Sequence, residues 1–138
     1  MASVQKSLRV SKKILSEIEQ IAKENKKDFS SVTNELLEEA IKSHRCPGIV
    51  FTEGVKGKRA RIAGTGLEVW EVIAAYQSIG GNIARLRRAY HWLTEQQLKA
   101  TLGYSKLYSD EINELIAENE DWTLERIHQK HPFIVVDK

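Results

Sequence analysis

The stretch that most constrains this chain is residues 4–10, an alternating segment that leads directly into two amphipathic helical patterns. One face of the segment carries apolar side chains and the other carries polar ones: Val4, Leu8 and Val10 against Gln5, Ser7 and Arg9. Alternation of this kind predicts a β-strand with one buried face. A lone strand cannot satisfy its own backbone hydrogen bonds, so we expect it to pair with the same segment of a second chain.

Two helices are predicted after this strand. Ser11 is placed to cap the first, and Ser30 or Ser31 begins the second. The apolar residues follow helical spacing: Ile14, Leu15, Ile18, Ile21 and Ala22 in the first, and Val32, Leu36, Leu37, Ala40 and Ile41 in the second. One apolar stripe per helix gives too little core for a unit of about 45 residues. The pattern therefore predicts that residues 1–46 fold together with a second copy of the chain, as a homodimer.

Strand, helix, short polar turn and helix, in this order, resemble the ribbon-helix-helix repressors of the Arc and MetJ type. The resemblance runs from residue 3 to about residue 45 and rests on KSLRVSKKIL, the ENKKD turn and FSSVTNELLEEAI. It implies that Gln5, Ser7 and Arg9 read base edges in the major groove of double-stranded operator DNA. It also implies a phosphate contact from the backbone near Ser30 and Ser31. Three cations are candidates for further phosphate contacts, or else ordinary solvated charges: Lys12, Lys13 and Lys27.

A second region, residues 47–118, begins where Pro47 and Gly48 break the second helix. Two short strand-like runs predict a β-hairpin: residues 49–51 and 59–62. Helical patterns follow, and the best-marked helix start is Thr94 with Gln97 three residues later, the spacing of a capping box.

Three stretches of this second region resemble a known family: GIVFTEG, RARIAGTGLEVWEVI and YHWLTEQQLKATLGYSK. They are similar to the four-three-three family of domains of unknown function, over about residues 47–118. Ala60 and His91 depart from the pattern, because prolines are common at those positions. The resemblance implies a small helix-turn-helix-like domain of the kind often found in antitoxins. Combined with the N-terminal resemblance, it implies an antitoxin that represses its own operon and neutralises a nuclease-type toxin.

A group of cationic and polar residues in the second region is a candidate surface for DNA or for a protein partner: Lys58, Arg59, Arg61, Arg85, Arg88, Gln96 and Lys99. The first three lie on the predicted hairpin, where a wing on DNA and a solvated loop both fit the sequence. The other four lie on two predicted helices with helix-turn-helix proportions. Residues 47–118 hold nine Lys or Arg against eight Asp or Glu, so both interpretations stay open.

The third region, residues 119–138, ends in a strand-like apolar run, residues 133–136. An apolar end of this kind seldom stays free in water, so we expect it to dock on its own domain or on a partner. The candidate toxin contacts are Trp122, Phe133, Ile134 and Val135.

Composition narrows the function classes further. The formal net charge is only +2, so any DNA-binding face must be local. A single cysteine, Cys46, and the lack of a signal-like apolar run favour a reducing cytoplasm, and no apolar run is long enough to predict a membrane span. No spacing of ligands or catalytic groups rises above background, so we expect no metal, no cofactor and no enzymatic activity.

The sequence as a whole predicts a mainly α protein with short β elements. The expected architecture is a dimeric ribbon-helix-helix followed by a small β-hairpin and a helix-turn-helix-like helical domain. The predicted function is a sequence-specific DNA-binding repressor and antitoxin. The alternative is a dimeric protein-interaction adaptor that never contacts DNA, and the sequence leaves open whether dimers pair into tetramers.

Overall fold

The structure, a computed structural model, describes residues 3–54, 57–119 and 124–134. The described residues form seven helices and two strands: α1 (Lys12–Asn25), α2 (Phe29–Arg45), β1 (Ile49–Gly54), β2 (Gly57–Ile62), α3 (Val69–Ser78), α4 (Ile83–Ala89), α5 (Glu95–Leu107), α6 (Ser109–Glu118) and α7 (Leu124–Lys130). The chain divides into two compact units, Met1–Lys42 and Ser43–Lys138. No helix among the described residues is long and apolar enough to cross a membrane.

The first unit consists of an irregular N-terminal segment and most of the helix pair α1 and α2. Ser11 caps α1 as predicted, because its Oγ accepts a hydrogen bond from the backbone N–H of Ile14 at 3.2 Å. Only two side chains of the described part of this unit are buried: Ala22 and Val32. The unit therefore has almost no core of its own.

The second unit begins with an antiparallel hairpin in which Ile49 lies opposite Ile62 and Gly54 lies opposite Gly57. A tight turn then leads to α3, and Gly64 adopts the left-handed backbone conformation there, with φ +78°. Thr65 fixes this turn, because its Oγ accepts a hydrogen bond from the backbone N–H of Leu67 at 3.1 Å. The hairpin predicted from the sequence is confirmed.

Helix α3 is the centre of the second unit and packs against β2, α4, α5, α6 and α7. Asn82 caps α4, and Thr94 and Gln97 form the predicted capping box at the start of α5. The core is formed mainly by fully buried apolar and aromatic side chains: Ile62, Leu67, Val69, Val72, Leu86, Tyr90, Tyr104, Ile112 and Ile134. The mainly α fold with one short hairpin is confirmed, whereas the dimer and the helix-turn-helix geometry stay predictions.

The sequence indicates a strand over residues 133–136, but the two of these residues that the structure describes, Phe133 and Ile134, do not form one. Phe133 and Ile134 lie in a turn closed by a hydrogen bond from the Ile134 N–H to the His131 carbonyl oxygen at 3.0 Å. The apolar pattern reflects the burial of Ile134, and a turn buries one apolar side chain as well as a strand does. Val135 lies outside the described residues.

Candidate nucleic-acid interface

The predicted base-reading residues lie on an exposed, irregular segment. Residues 3–10 have no regular secondary structure, and the side chains of Gln5, Ser7 and Arg9 are exposed. The predicted strand is therefore not formed in the single chain, because a strand needs a second strand to receive its backbone hydrogen bonds. The ribbon between two chains stays a prediction, and its three polar side chains are accessible to a ligand.

Lys12 and Lys13 follow this segment in the first turn of α1, where both are exposed. No acidic residue lies in that turn. Positive charge at a helix N-terminus is unfavourable against the helix dipole, and a nearby anion removes this penalty. The two lysines together with Arg9 thus form a local cationic patch that suits a phosphate backbone.

The start of α2 is already occupied by an acidic side chain. The Asp28 carboxylate accepts hydrogen bonds from the Ser31 backbone N–H at 3.1 Å and from the Ser31 hydroxyl at 2.7 Å. These hydrogen bonds, that from the hydroxyl first, hold the pKa of Asp28 below its usual value, so the carboxylate is ionised. Like charges repel, so this carboxylate opposes the predicted phosphate contact through Ser30 and Ser31.

Lys27 is also engaged within the chain. Its Nζ lies 3.0 Å from Glu35 Oε1 and 3.2 Å from Glu35 Oε2. A phosphate contact by Lys27 would have to compete with this ion pair. The predicted phosphate contacts stay untested, and Lys12 and Lys13 are the two members of the set without such a competing contact among the described residues.

The helices of the first unit leave their apolar side chains in solvent. Leu37 and Ile41, one turn apart on α2, are 55% and 53% exposed, and Ile14 and Leu15 on α1 are exposed as well. These positions belong to the apolar stripes that the sequence predicts as a core. Exposed apolar area of this extent marks an interaction surface.

The two hairpin arginines, Arg59 and Arg61, form hydrogen bonds and an ion pair within the second unit. Arg61 donates hydrogen bonds from Nε to Thr52 Oγ at 2.8 Å and from Nη1 to the Gly66 carbonyl oxygen at 3.1 Å. Arg59 Nη1 lies 3.4 Å from Glu68 Oε1, the carboxylate that precedes α3. Both arginines thus fasten the hairpin to the segments around it. Their role in a DNA or partner surface stays a prediction, and it would have to compete with these contacts; Lys58 is the exposed member of the predicted hairpin group.

Helices α4 and α5 present the rest of the predicted second surface. Gln96 and Lys99 are exposed on α5, Arg88 is exposed on α4, and Arg85 is half-buried. Gln96 and Lys99 continue into a stripe of exposed positions along α5 at the spacing of helical turns: Gln96, Lys99, Gly103 and Lys106. The sequence interpretation missed the last two, which the same helical spacing identifies.

Glu95, which precedes this stripe in the sequence, forms an ion pair with an arginine of α4. Glu95 Oε1 lies 2.7 Å from Arg87 Nε, so α4 contributes the counter-charge. The repulsion that the Glu95 carboxylate would exert on a phosphate is thereby reduced. An open groove beside the start of α5 is lined by Gln96 and Lys99 together with Pro47, Gly48 and Ala63. This face of α5 offers polar and cationic side chains to a ligand.

The two predicted toxin contacts that the structure describes differ in their exposure to solvent. Phe133 is 56% exposed, whereas Ile134 is fully buried in the core of its own unit. Ile134 is therefore corrected to a core residue that cannot contact a partner in this conformation. Trp122 and Val135 lie outside the described residues.

The sequence analysis did not identify one buried acidic residue, Glu71. Glu71 of α3 is almost completely buried, and burial raises the pKa of its carboxyl, against the opposing effect of Lys130. His131 Nε2 lies 3.5 Å from Glu71 Oε2. The available signal was a carboxylate inside the apolar run VWEVI, which is unusual for a core-facing helix. Among the described residues, no group of three His, Cys, Asp or Glu side chains is placed to hold a metal ion.

Comparison with known proteins covers part of the second unit. Residues 49–105 match the family described as "Protein of unknown function (DUF433)". The match extends from β1 into α5, and it supports the second of the two sequence resemblances. No curated protein and no solved structure matches the chain. The match does not include α1 or α2, so the ribbon-helix-helix resemblance stays a prediction.

Proposed function

We propose that this protein is a homodimeric, sequence-specific DNA-binding repressor. The observation that carries the proposal is the first unit, which leaves the apolar stripes of α1 and α2 largely exposed and presents an alternating segment without a strand partner. A second copy supplies both missing surfaces at once, since the two segments pair into a ribbon and the helices bury their stripes against each other. Gln5, Ser7 and Arg9 then face the major groove, which admits a two-stranded ribbon.

The electrostatic grip of this repressor is small and local. Lys12 and Lys13 contact phosphates beside the ribbon, whereas Lys27 stays with Glu35. The exposed stripe of α5, with Gln96 and Lys99, is the candidate for a second contact with DNA. Arg88 and Lys58 are secondary candidates for contact with DNA.

We further propose that the protein is an antitoxin that represses its own operon and neutralises a nuclease-type toxin. This part rests on the resemblance of the second unit to a family often found among toxin–antitoxin genes. Phe133 is the candidate toxin contact that the structure leaves accessible. A small nuclease-like reading frame next to the gene is the expected genomic observation, and its absence favours a stand-alone regulator.

A titration of the protein against a duplex of its own upstream region tests the repressor. Arg9→Ala is expected to weaken binding by about 1–3 kcal/mol and to relax base preference. Lys12→Ala is expected to weaken binding to all sequences alike. It is also expected to reduce the magnitude of the slope of log K against log salt concentration by about one. Lys23→Ala is the matched control, because Lys23 carries the same charge at the opposite end of α1.

The alternative is a dimeric adaptor that binds only protein. The engagement of Lys27, Arg59 and Arg61 within the chain favours it, because each removes a cation from the expected DNA surface. A wild-type protein that dimerises but shows no salt-dependent binding to any duplex establishes the adaptor and overturns the repressor.

A further inference from the structure

The last described residues of the chain, His131–Ile134, form a compact turn that we name the C-terminal clasp. Ile134 anchors it, since its side chain is fully buried and its carbonyl oxygen contacts His128 Nδ1. The anchor holds Phe133 and His131 against two separate parts of the second unit, which are the linker after α4 and helix α3.

The clasp contacts the short linker that joins α4 to α5. The ring of Phe133 meets the ring of Trp92 edge-on, with centroids 5.1 Å apart. Trp92 in turn contacts Tyr90, with centroids 6.1 Å apart. The linker turns sharply here, because the Leu93 N–H donates to the Tyr90 carbonyl oxygen at 2.9 Å and Thr94 caps α5 immediately afterwards.

The clasp also contacts α3. His131 lies beside the Phe133 ring, with ring centroids 5.6 Å apart, and its Nε2 lies 3.5 Å from Glu71 Oε2. A chain of contacts thus runs from α3 through His131, Phe133 and Trp92 to Tyr90. The linker that determines how α5 follows α4 is held from outside by the clasp.

The linker on which the clasp docks contains two buried polar groups that lack a partner. The Tyr90 hydroxyl and the Trp92 Nε1–H are buried, and neither has a hydrogen-bond partner within the described part of the chain. A buried polar group without a partner is destabilising, so the packing around this linker is less stable than its apolar contacts alone indicate. Phe133 is meanwhile half-exposed, so an incoming protein can contact its ring before the clasp is released.

We propose that the clasp is a detachable strap over the α4–α5 linker, and that its release loosens the linker and the start of α5. The strap couples an event at the C-terminus to the face of α5 that carries Gln96 and Lys99. Its regulatory meaning rests on the proposed function, because it assumes that this face contacts DNA. The mechanical part of the proposal, that release of the clasp loosens the linker, does not rest on the proposed function.

Amide hydrogen exchange on the full chain tests the mechanical part. Phe133→Ala removes the contact with Trp92, and an aromatic pair of this kind corresponds to about a 2- to 10-fold change in the opening equilibrium. The amides of Tyr90–Thr94 are therefore expected to exchange about 2- to 10-fold faster. The hairpin amides of β2 are expected to stay unchanged, and Gln129→Ala, an exposed substitution on α7, is the matched control.

A second variant keeps the test decisive. Ile134→Ala removes the anchor, so the clasp amides and the linker amides are both expected to exchange faster. Faster exchange of the clasp with an unchanged linker overturns the proposal, because the strap then detaches without effect. Equal acceleration of the linker and the β2 amides also overturns it, since the effect is then global unfolding. DNA titration of the same variants reports separately on the proposed function.

Discussion

Replacing Leu37 by alanine is expected to weaken dimerisation strongly while leaving the second unit folded, because that unit has a buried core of its own. Complete burial of a leucine side chain stabilises a protein by about 1.5–3 kcal/mol. Leu37 is 55% exposed in the single chain, so roughly half of this, about 1–1.5 kcal/mol, remains to be gained at an interface. A symmetric dimer contains two copies, which gives about 2–3 kcal/mol. The dimer Kd is therefore expected to rise about 30- to 140-fold.

Sedimentation equilibrium over a range of concentrations measures this Kd directly. Glu38→Gln is the matched control, because Glu38 is an exposed residue of the same helix that lies outside the apolar stripe. Its Kd is expected to equal that of the wild type. A wild-type chain that stays monomeric at every concentration, or equal Kd values for the two variants, refutes the argument that the exposed stripe of α2 is a dimer interface.

Three further substitutions test local features of the second unit. Thr94→Ala removes the cap on the Gln97 N–H and is expected to destabilise the unit by about 1 kcal/mol in thermal unfolding, whereas Gln96→Ala changes it by less than about 0.5 kcal/mol. Gly103→Ala is expected to stabilise the unit by about 1 kcal/mol, because a Cβ there meets nothing within 4 Å; a lower Tm contradicts this. Glu71→Gln tests the buried carboxyl. Burial raises the pKa of Glu71 in the folded state, so the wild type loses stability as pH rises through that pKa. The Gln variant lacks this loss, and its advantage in Tm at pH 7 is expected to vanish below the ordinary value of 4.5; an equal advantage at acidic and neutral pH excludes the carboxyl as its source.

The sequence predicted those parts of the fold that depend on neighbours in the chain. The caps at Ser11, Asn82 and Thr94 each join residues three positions apart, so the spacing alone identifies them. The hairpin was predictable for the same reason, since its two strands flank a short turn.

Apart from the C-terminal run, the sequence could not show which partners the charged side chains contact within the chain. Lys27 pairs with Glu35 and Arg61 with Thr52, eight and nine positions away, and a cation already engaged in this way looks the same in a sequence as a free one. The contact of Glu71 with His131 spans sixty positions and depends on how the C-terminal clasp docks. Charge counting therefore treated the engaged cations of the hairpin as free ones and missed the buried pair of Glu71 and His131.

If the protein is the proposed repressor, its few cations beside the ribbon make dimerisation a condition of DNA binding. Each chain contributes Arg9, Lys12 and Lys13 beside the ribbon, and one such patch is too small for stable binding at ordinary salt. Two patches held in one dimer act together, because the second engages at the high effective concentration that the first provides. The ribbon itself exists only when two segments pair. Any change that weakens the stripe of Leu37 and Ile41 must therefore weaken DNA binding as well, and by linkage operator DNA must stabilise the dimer.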